Sequence, residues 1–246
     1  MDKSFSYFNI DFIDNSDDFL NSLRFQELIE VIKHKSRFII QEPYKSFVDL
    51  IIQLIQQQFI STISVDTILY RARINRINFS NGDDENNPFA PEEMGPPPEY
   101  LTKSGRINPE GIPYLYCAGE LDTAAAELRP WKGAKITIGE VKMKQAITIA
   151  DLTLECRDKN QYLLFDEFSN IFSMQWPPEL KLNYIVTQYF AEHFKSIGLR
   201  GIKYKSEFNI GGNNYSLFFT DDYEIFRTYV VEASDISYFF YKSKTA

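Results

Sequence analysis

Apolar positions in the first third of the chain recur at helical spacing. In FVDLIIQLIQQQFI, residues Phe47, Ile51, Leu54, Ile55 and Phe59 share one side, while Asp49, Gln53 and Gln57 fall on the other. Pro43 suits the first turn of that helix. The pattern predicts a helical N-terminal extension over residues 1–65, packed on a main domain over 66–246. At Asp66 the period changes, and DTILYRARI has the β-branched and aromatic content of a strand that ends in arginines.

Further along, IPYLYCA predicts a short strand with Tyr114 and Tyr116 on one face and Leu115 and Cys117 on the other. A short helix should follow, capped by Asp122 or Thr123, carrying Glu127 and stopped near Pro130. KITIGEVKM and QAITIADL alternate as strands and suggest a hairpin. Residues 160–173 predict a helix. KLNYIVTQYFAEHFKSIG predicts another, with Leu182, Ile185, Tyr189, Phe190, Phe194 and Ile197 as its core stripe and Gly198 as its stop. GIKYKS and YSLFFT predict strands around the turn FNIGGNN, and EIFRTYVVEASDISYFFY predicts one or two more. The sum is an α+β fold.

Composition narrows the class. A hydrophobic fraction of 44% with 15% aromatics supplies a core and excludes a disordered or collagen-like chain. Against 34 acidic residues stand 26 Lys and Arg, a net charge of −8 that repels a phosphate backbone. Direct nucleic-acid binding is therefore not expected, although a local basic pocket for a small phosphorylated ligand is allowed. MDKSFSYFNIDFIDNSDD has no secretory pattern, and no run approaches the roughly 18 apolar residues of a membrane span. Cys117 and Cys156 read as reduced thiols, so a cytoplasmic location without membrane attachment is expected. With only His34 and His193 beside them, and no HExxH, P-loop or GxGxxG pattern, neither a metal nor a bound cofactor is expected. Residues 80–100 hold six carboxylates, five prolines and no basic residue, the signature of a long loop.

Candidate chemistry sits beside the predicted strands. Arg71 and Arg73 end the first strand, Tyr116 faces one side of the second, Glu127 rides the next helix and Ser206 ends GIKYKS. An arginine fork suits a diphosphate. A carboxylate beside a sugar hydrogen-bonds its hydroxyls and stabilises an oxocarbenium-like centre. A tyrosine ring offers a stacking surface for a heteroaromatic base. Together these groups suit a dinucleotide cleaved at a glycosidic bond. Taken singly, each also has a structural reading: a surface ion pair for Arg71, core packing for Tyr116, a helix surface for Glu127 and a turn for Ser206.

LYRAR at 69–73, GRINPEGIPYLYCAGELDTAAAELRPWKG at 105–133, and GIKYKS with NNYSLFF near 201–219 closely resemble the RES domain family, the toxin enzymes of RES–Xre toxin–antitoxin pairs. The resemblance covers roughly residues 66–225, and the family's arginine, glutamate and serine match Arg71, Glu127 and Ser206. It implies a mixed or antiparallel sheet similar to the ADP-ribosyltransferase fold. It also implies breakage of the nicotinamide–ribose bond of NAD⁺, a substrate here and not a cofactor, by hydrolysis or phosphorolysis. On that reading the catalytic set is Arg71, Tyr116, Glu127 and Ser206, with Arg106, Arg73 and Asn214 binding substrate. A protein antitoxin or inhibitor, in an oligomer with the toxin, is the implied partner. Two alternatives remain open: transfer of ADP-ribose to a macromolecule, and a non-catalytic NAD-binding module.

Overall fold

The computed structural model describes residues 17–75, 86–158 and 160–236. Two helices lead, α1 (Asp17–His34) and α2 (Tyr44–Gln58). The strands are β1 (Ile60–Ile63), β2 (Ile68–Ile74), β3 (Leu115–Ala118), β4 (Lys135–Met143), β5 (Ile147–Asp151), β6 (Gly201–Lys205), β7 (Asn213–Leu217) and β8 (Tyr223–Glu232). Between them lie helices α3 (Leu121–Ala126), α4 (Tyr162–Ser173) and α5 (Tyr184–Ser196). Among the described residues all eight strands join one sheet, in the order β1-β5-β6-β7-β3-β2-β4-β8. Only β5 and β6 run parallel, so the fold is α+β with a mixed sheet.

Apolar residues at opposite ends of that order meet. Ile63, Ile147 and Ile149 share a buried cluster with Leu69, Val141 and Met143, so the sheet curls back on itself. This curl explains why the expected hairpin of KITIGEVKM and QAITIADL does not form. β4 lies between β2 and β8, β5 lies between β1 and β6, and residues 144–146 carry the chain from one half of the sheet to the other. Local alternation marks a strand, but the pairing partner is chosen by the whole core.

The other face of the sheet is covered by α1, α2, α4 and α5. Phe168 sits at the centre of this cluster, with its ring centroid 5.7 Å from Phe25, 4.9 Å from Phe190 and 5.2 Å from Phe172. The predicted stripe of α2 is buried along its length, from Phe47 through Ile51, Leu54 and Ile55 to Phe59 beyond its end. Tyr114 and Tyr116 face the helical cluster while Leu115 and Cys117 face the second one, as alternation requires. Leu182 departs from its expected place. It lies in the 3₁₀ turn Pro178–Asn183 and is exposed, and α5 starts after it with Val186, Phe190, Ala191 and Phe194 buried. Gly198 has φ +88°, the left-handed stop that a glycine best supplies.

Residues 17–65 are built into the domain, since β1 pairs with β5 and both leading helices enter the larger core. Of the acidic segment, residues 80–85 lie outside the described part. The remainder is less loop-like than expected: it forms 3₁₀ turns at Pro91–Met94 and Glu99–Leu101, and Met94 is fully buried over Gly139. The final strand β8 is continuous, and the SYFFY run falls outside the described residues. Among the described residues, no helix is long and apolar enough to cross a membrane.

One contact ties the leading helix to the rest. Gln161 gives α4 no side-chain cap, and Asp18 of α1 supplies one from 145 residues away. Its carboxylate accepts from the backbone N–H groups of Leu163 (2.8 Å) and Leu164 (3.1 Å), the free donors of a helix start. Asp18→Ala is expected to destabilise the protein by about 2 kcal/mol, near the upper end for a lost cap. Urea unfolding followed by circular dichroism measures this, and a loss below about 0.5 kcal/mol would show that the contact contributes little.

Candidate active site

β2, β3, α3, β6 and β7 converge on a cavity of about 360 Å³, lined among others by Arg71, Arg106, Tyr116, Glu127, Gln175 and Asn214. That size is at the lower end for small-molecule sites, about 300–1,000 Å³. Glu127 directly follows α3, whose alanine run packs closely against β2 and β3. Its Oε1 accepts from Ser206 Oγ (2.8 Å) and Asn214 Nδ2 (2.6 Å), and its Oε2 accepts from Gln175 Nε2 (2.8 Å). The carboxylate is therefore held by three uncharged donors.

Ser206 reaches this position because β6 and β7 form the predicted hairpin. Its hydroxyl accepts from the N–H groups of Phe208 (3.2 Å) and Asn209 (3.1 Å), which turns the proton toward Glu127. Ser206 supports the carboxylate from behind and does not line the cavity. Asn214, from β7, is buried beside it.

The two cavity arginines are held by backbone carbonyls. Arg71 donates to the Tyr116 carbonyl at 3.1 Å. Burial lowers its pKa from the ordinary value, with Cys117 and Tyr223 acting in the opposite sense. Arg106 donates to the Phe172 carbonyl at 3.1 Å, in the last turn of α4, where carbonyls lack helical partners. Its guanidinium lies 5.4 Å from the Tyr204 ring centroid. Among the described residues, no carboxylate lies within ion-pair distance of Arg71 or Arg106. Two guanidiniums thus enter one cavity with most of their donors uncommitted, an arrangement that favours an anionic ligand.

Arg73 takes a different course. Strand alternation sets it on the face of Arg71, but the 86–94 segment covers that end of β2. Its guanidinium donates to the Glu93 carbonyl at 2.9 Å and lies 4.4 Å from the Phe89 ring centroid, and it does not line the cavity. Of the arginines expected to bind substrate, Arg71 and Arg106 thus share the cavity and Arg73 stands outside it.

Tyr116 is anchored through its hydroxyl. It accepts from the N–H groups of Ile107 (2.9 Å) and Asn108 (3.1 Å) and donates to Asn108 Oδ1 (2.8 Å). Burial pushes its pKa up to about 12, so the hydroxyl keeps its proton at neutral pH. The approach demands a glycine at 105, because a Cβ there would stand 2.9 Å from the tyrosine oxygen and 2.3 Å from Asn108 Oδ1. Cys117 also lines the cavity, but burial raises its thiol to about 12, which leaves it protonated and poorly nucleophilic. Among the described residues, no group of three or more His, Cys, Asp or Glu could hold a metal ion.

The family model for the RES domain matches residues 68–240. The chain belongs to the RES domain family. All seven side chains named as lining the cavity, and Ser206 behind it, lie inside the matched RES region. A solved structure, that of the M. tuberculosis MbcT–MbcA toxin–antitoxin complex, is similar at 12% identity and a TM-score of 0.42, over 74% of this chain and 92% of that one. No curated protein matches the chain in sequence.

Gln175 was not legible as a site residue. It comes from the loop after α4, bears no motif, and reaches Glu127 across 48 positions. Arg129 is likewise recruited: with φ +50° it turns the chain after α3 and donates to Gln175 Oε1.

Within the RES cavity, Tyr116→Phe strands two backbone donors and the Asn108 side chain. A loss of about 2 kcal/mol is expected. Hydrogen exchange should quicken at the Ile107 and Asn108 amides. Unchanged exchange there would mean that something other than the tyrosine hydroxyl holds the Arg106 loop.

Proposed function

We propose that this RES domain breaks the nicotinamide–ribose bond of NAD⁺ as the toxin enzyme of a toxin–antitoxin pair. The observation that carries this reading is the charge arrangement of the cavity: Arg71 and Arg106 without carboxylate partners among the described residues, and Glu127 held by neutral donors. The guanidiniums suit the diphosphate and its neighbouring ribose. The carboxylate suits the ribose that carries nicotinamide. As the C1–N bond opens, its electron pair leaves with neutral nicotinamide and positive charge develops on the sugar. Glu127 stabilises that charge and hydrogen-bonds a ribose hydroxyl. Water then adds to C1 and loses a proton, giving ADP-ribose, or phosphate adds to give ADP-ribose-1″-phosphate. The Tyr116 ring offers the stacking face for nicotinamide.

Membership of the RES family supports this reading, as does the resemblance of its motif blocks to NAD⁺-degrading toxins. A protein antitoxin that covers the cavity mouth is the partner that goes with it. No direct nucleic-acid contact is part of the reading, given the net charge of −8.

The test is incubation of the purified chain with NAD⁺, with and without phosphate, and mass spectrometry of the products. Free nicotinamide is expected with ADP-ribose or its 1″-phosphate. Intact NAD⁺, or ADP-ribose attached to a macromolecule as the sole product, would overturn the proposal. Glu127→Gln keeps an oxygen toward Ser206 and Asn214 but sets an NH₂ against Gln175 Nε2. It should lower nicotinamide release about 10²- to 10⁴-fold. Arg71→Lys keeps the charge but loses the planar fork, so affinity for NAD⁺ should fall well below that of the parent while affinity for free nicotinamide holds. Equal losses for both ligands would place Arg71 away from the phosphates.

A further inference from the structure

The Glu127 carboxylate offers about four acceptor positions, two on each oxygen. Ser206 and Asn214 fill both on Oε1, and Gln175 fills one on Oε2. One position is left for a substrate hydroxyl. Among the described residues Gln175 alone holds the oxygen that carries it, so the direction in which this remaining lone pair points is set by a residue outside the recognised motif.

Gln175 is itself fixed at three atoms. Its backbone N–H donates to Glu207 Oε2 at 2.8 Å, its Oε1 accepts from Arg129, and its Nε2 reaches Glu127. The Arg129 contact also settles which way the amide faces: a guanidinium only donates, so the amide oxygen must turn to it and the NH₂ to the carboxylate. Arg129 is braced in turn, with its guanidinium 4.5 Å from the Phe208 ring centroid. Positive charge thus acts on Glu127 through a neutral amide, without an ion pair that would spend the carboxylate.

We infer that Gln175 is a positioning residue, oriented by Arg129, that aims the free Oε2 position of Glu127 at the ribose hydroxyl of the substrate. The inference rests on the NAD⁺-cleaving reading for its substrate, and on the geometry alone for the relay. Because the anchors of Arg71 and Arg106 do not involve Gln175, ground-state binding should be nearly untouched when it is removed.

The experiment has an activity arm and a substrate-free arm. For Gln175→Ala, kcat for nicotinamide release should fall about 10- to 100-fold, as for a lost hydrogen bond to a charged group, with KM changed less than about 3-fold. Arg129→Ala should give a smaller drop in kcat, and the double variant should be no slower than Gln175→Ala, because both act along one chain. Additive losses, or a loss in KM at constant kcat, would overturn the proposal. Without substrate, the Gln175 side-chain NH₂ signals in a ¹H–¹⁵N spectrum should shift in both Glu127→Gln and Arg129→Ala. Signals that respond to neither variant would overturn it as well. If the parent protein leaves NAD⁺ intact while these signals respond, the functional reading fails and the relay stands.

Discussion

Opposite charges share one cavity without neutralising each other, and the fold around them is arranged to keep it so. At about 4 Å, a guanidinium and a carboxylate attract by roughly 4 kcal/mol at an effective dielectric of 20, enough to collapse an unanchored site. Each group is therefore tied down elsewhere. Arg71 is held by a carbonyl of β3, and Arg106 by a carbonyl at the end of α4. Glu127 is held by a hydroxyl and two amides. Burying charge in this way is unfavourable, since partial partners return only part of the lost hydration. Such local cost is expected where binding and chemistry take place, and it must be offset by the rest of the domain.

The offset lies in the two apolar clusters on either side of the sheet. Curling brings β1 and β5 against β2 and β4, which closes the smaller cluster without any helix. The larger cluster gathers Phe25, Phe168, Phe172, Phe190 and Phe194 between helices and sheet. Both clusters abut the cavity through β3, whose alternate residues serve the two cores while its Tyr116 carbonyl faces Arg71. A strand clamped from both faces gives the guanidinium a fixed acceptor, and that is why a four-residue strand can position a charge.

Much of the site was legible because its parts are local. The Tyr116 strand, the alanine helix before Glu127 and the hairpin joining Ser206 to Asn214 each follow from periodicity and turn residues within a few positions. The resemblance of those blocks to one family then named the residues that meet. What stayed hidden depends on distant partners. The Arg73 side chain is on the right face of β2, yet a carbonyl 20 positions away claims it. The β4–β5 pair alternates like a hairpin, yet each strand finds better neighbours in the curled sheet. Asp18 and Gln175 carry no periodic signal at all, and their roles exist only once α4 is docked.

Helix α4 makes the leading helices part of the site. Its first turn is capped by Asp18 from α1, outside the matched RES region, and a carbonyl of its last turn accepts from Arg106. Two residues past its end comes Gln175, which touches Glu127. One rigid element therefore sets the position of a cavity cation and of a donor to the cavity carboxylate. A helix of 12 residues is marginal alone in water, so its placement comes from packing and from its caps. The N-terminal helices supply part of both: Phe25 of α1 packs on Phe168, and Asp18 closes the helix start. Loosening that cap would act at the far end of α4, on Arg106 and Gln175 together. Helices α1 and α2, which precede the family region, are thus linked to the cavity through the two ends of one helix, without contributing a side chain to the cavity lining described above.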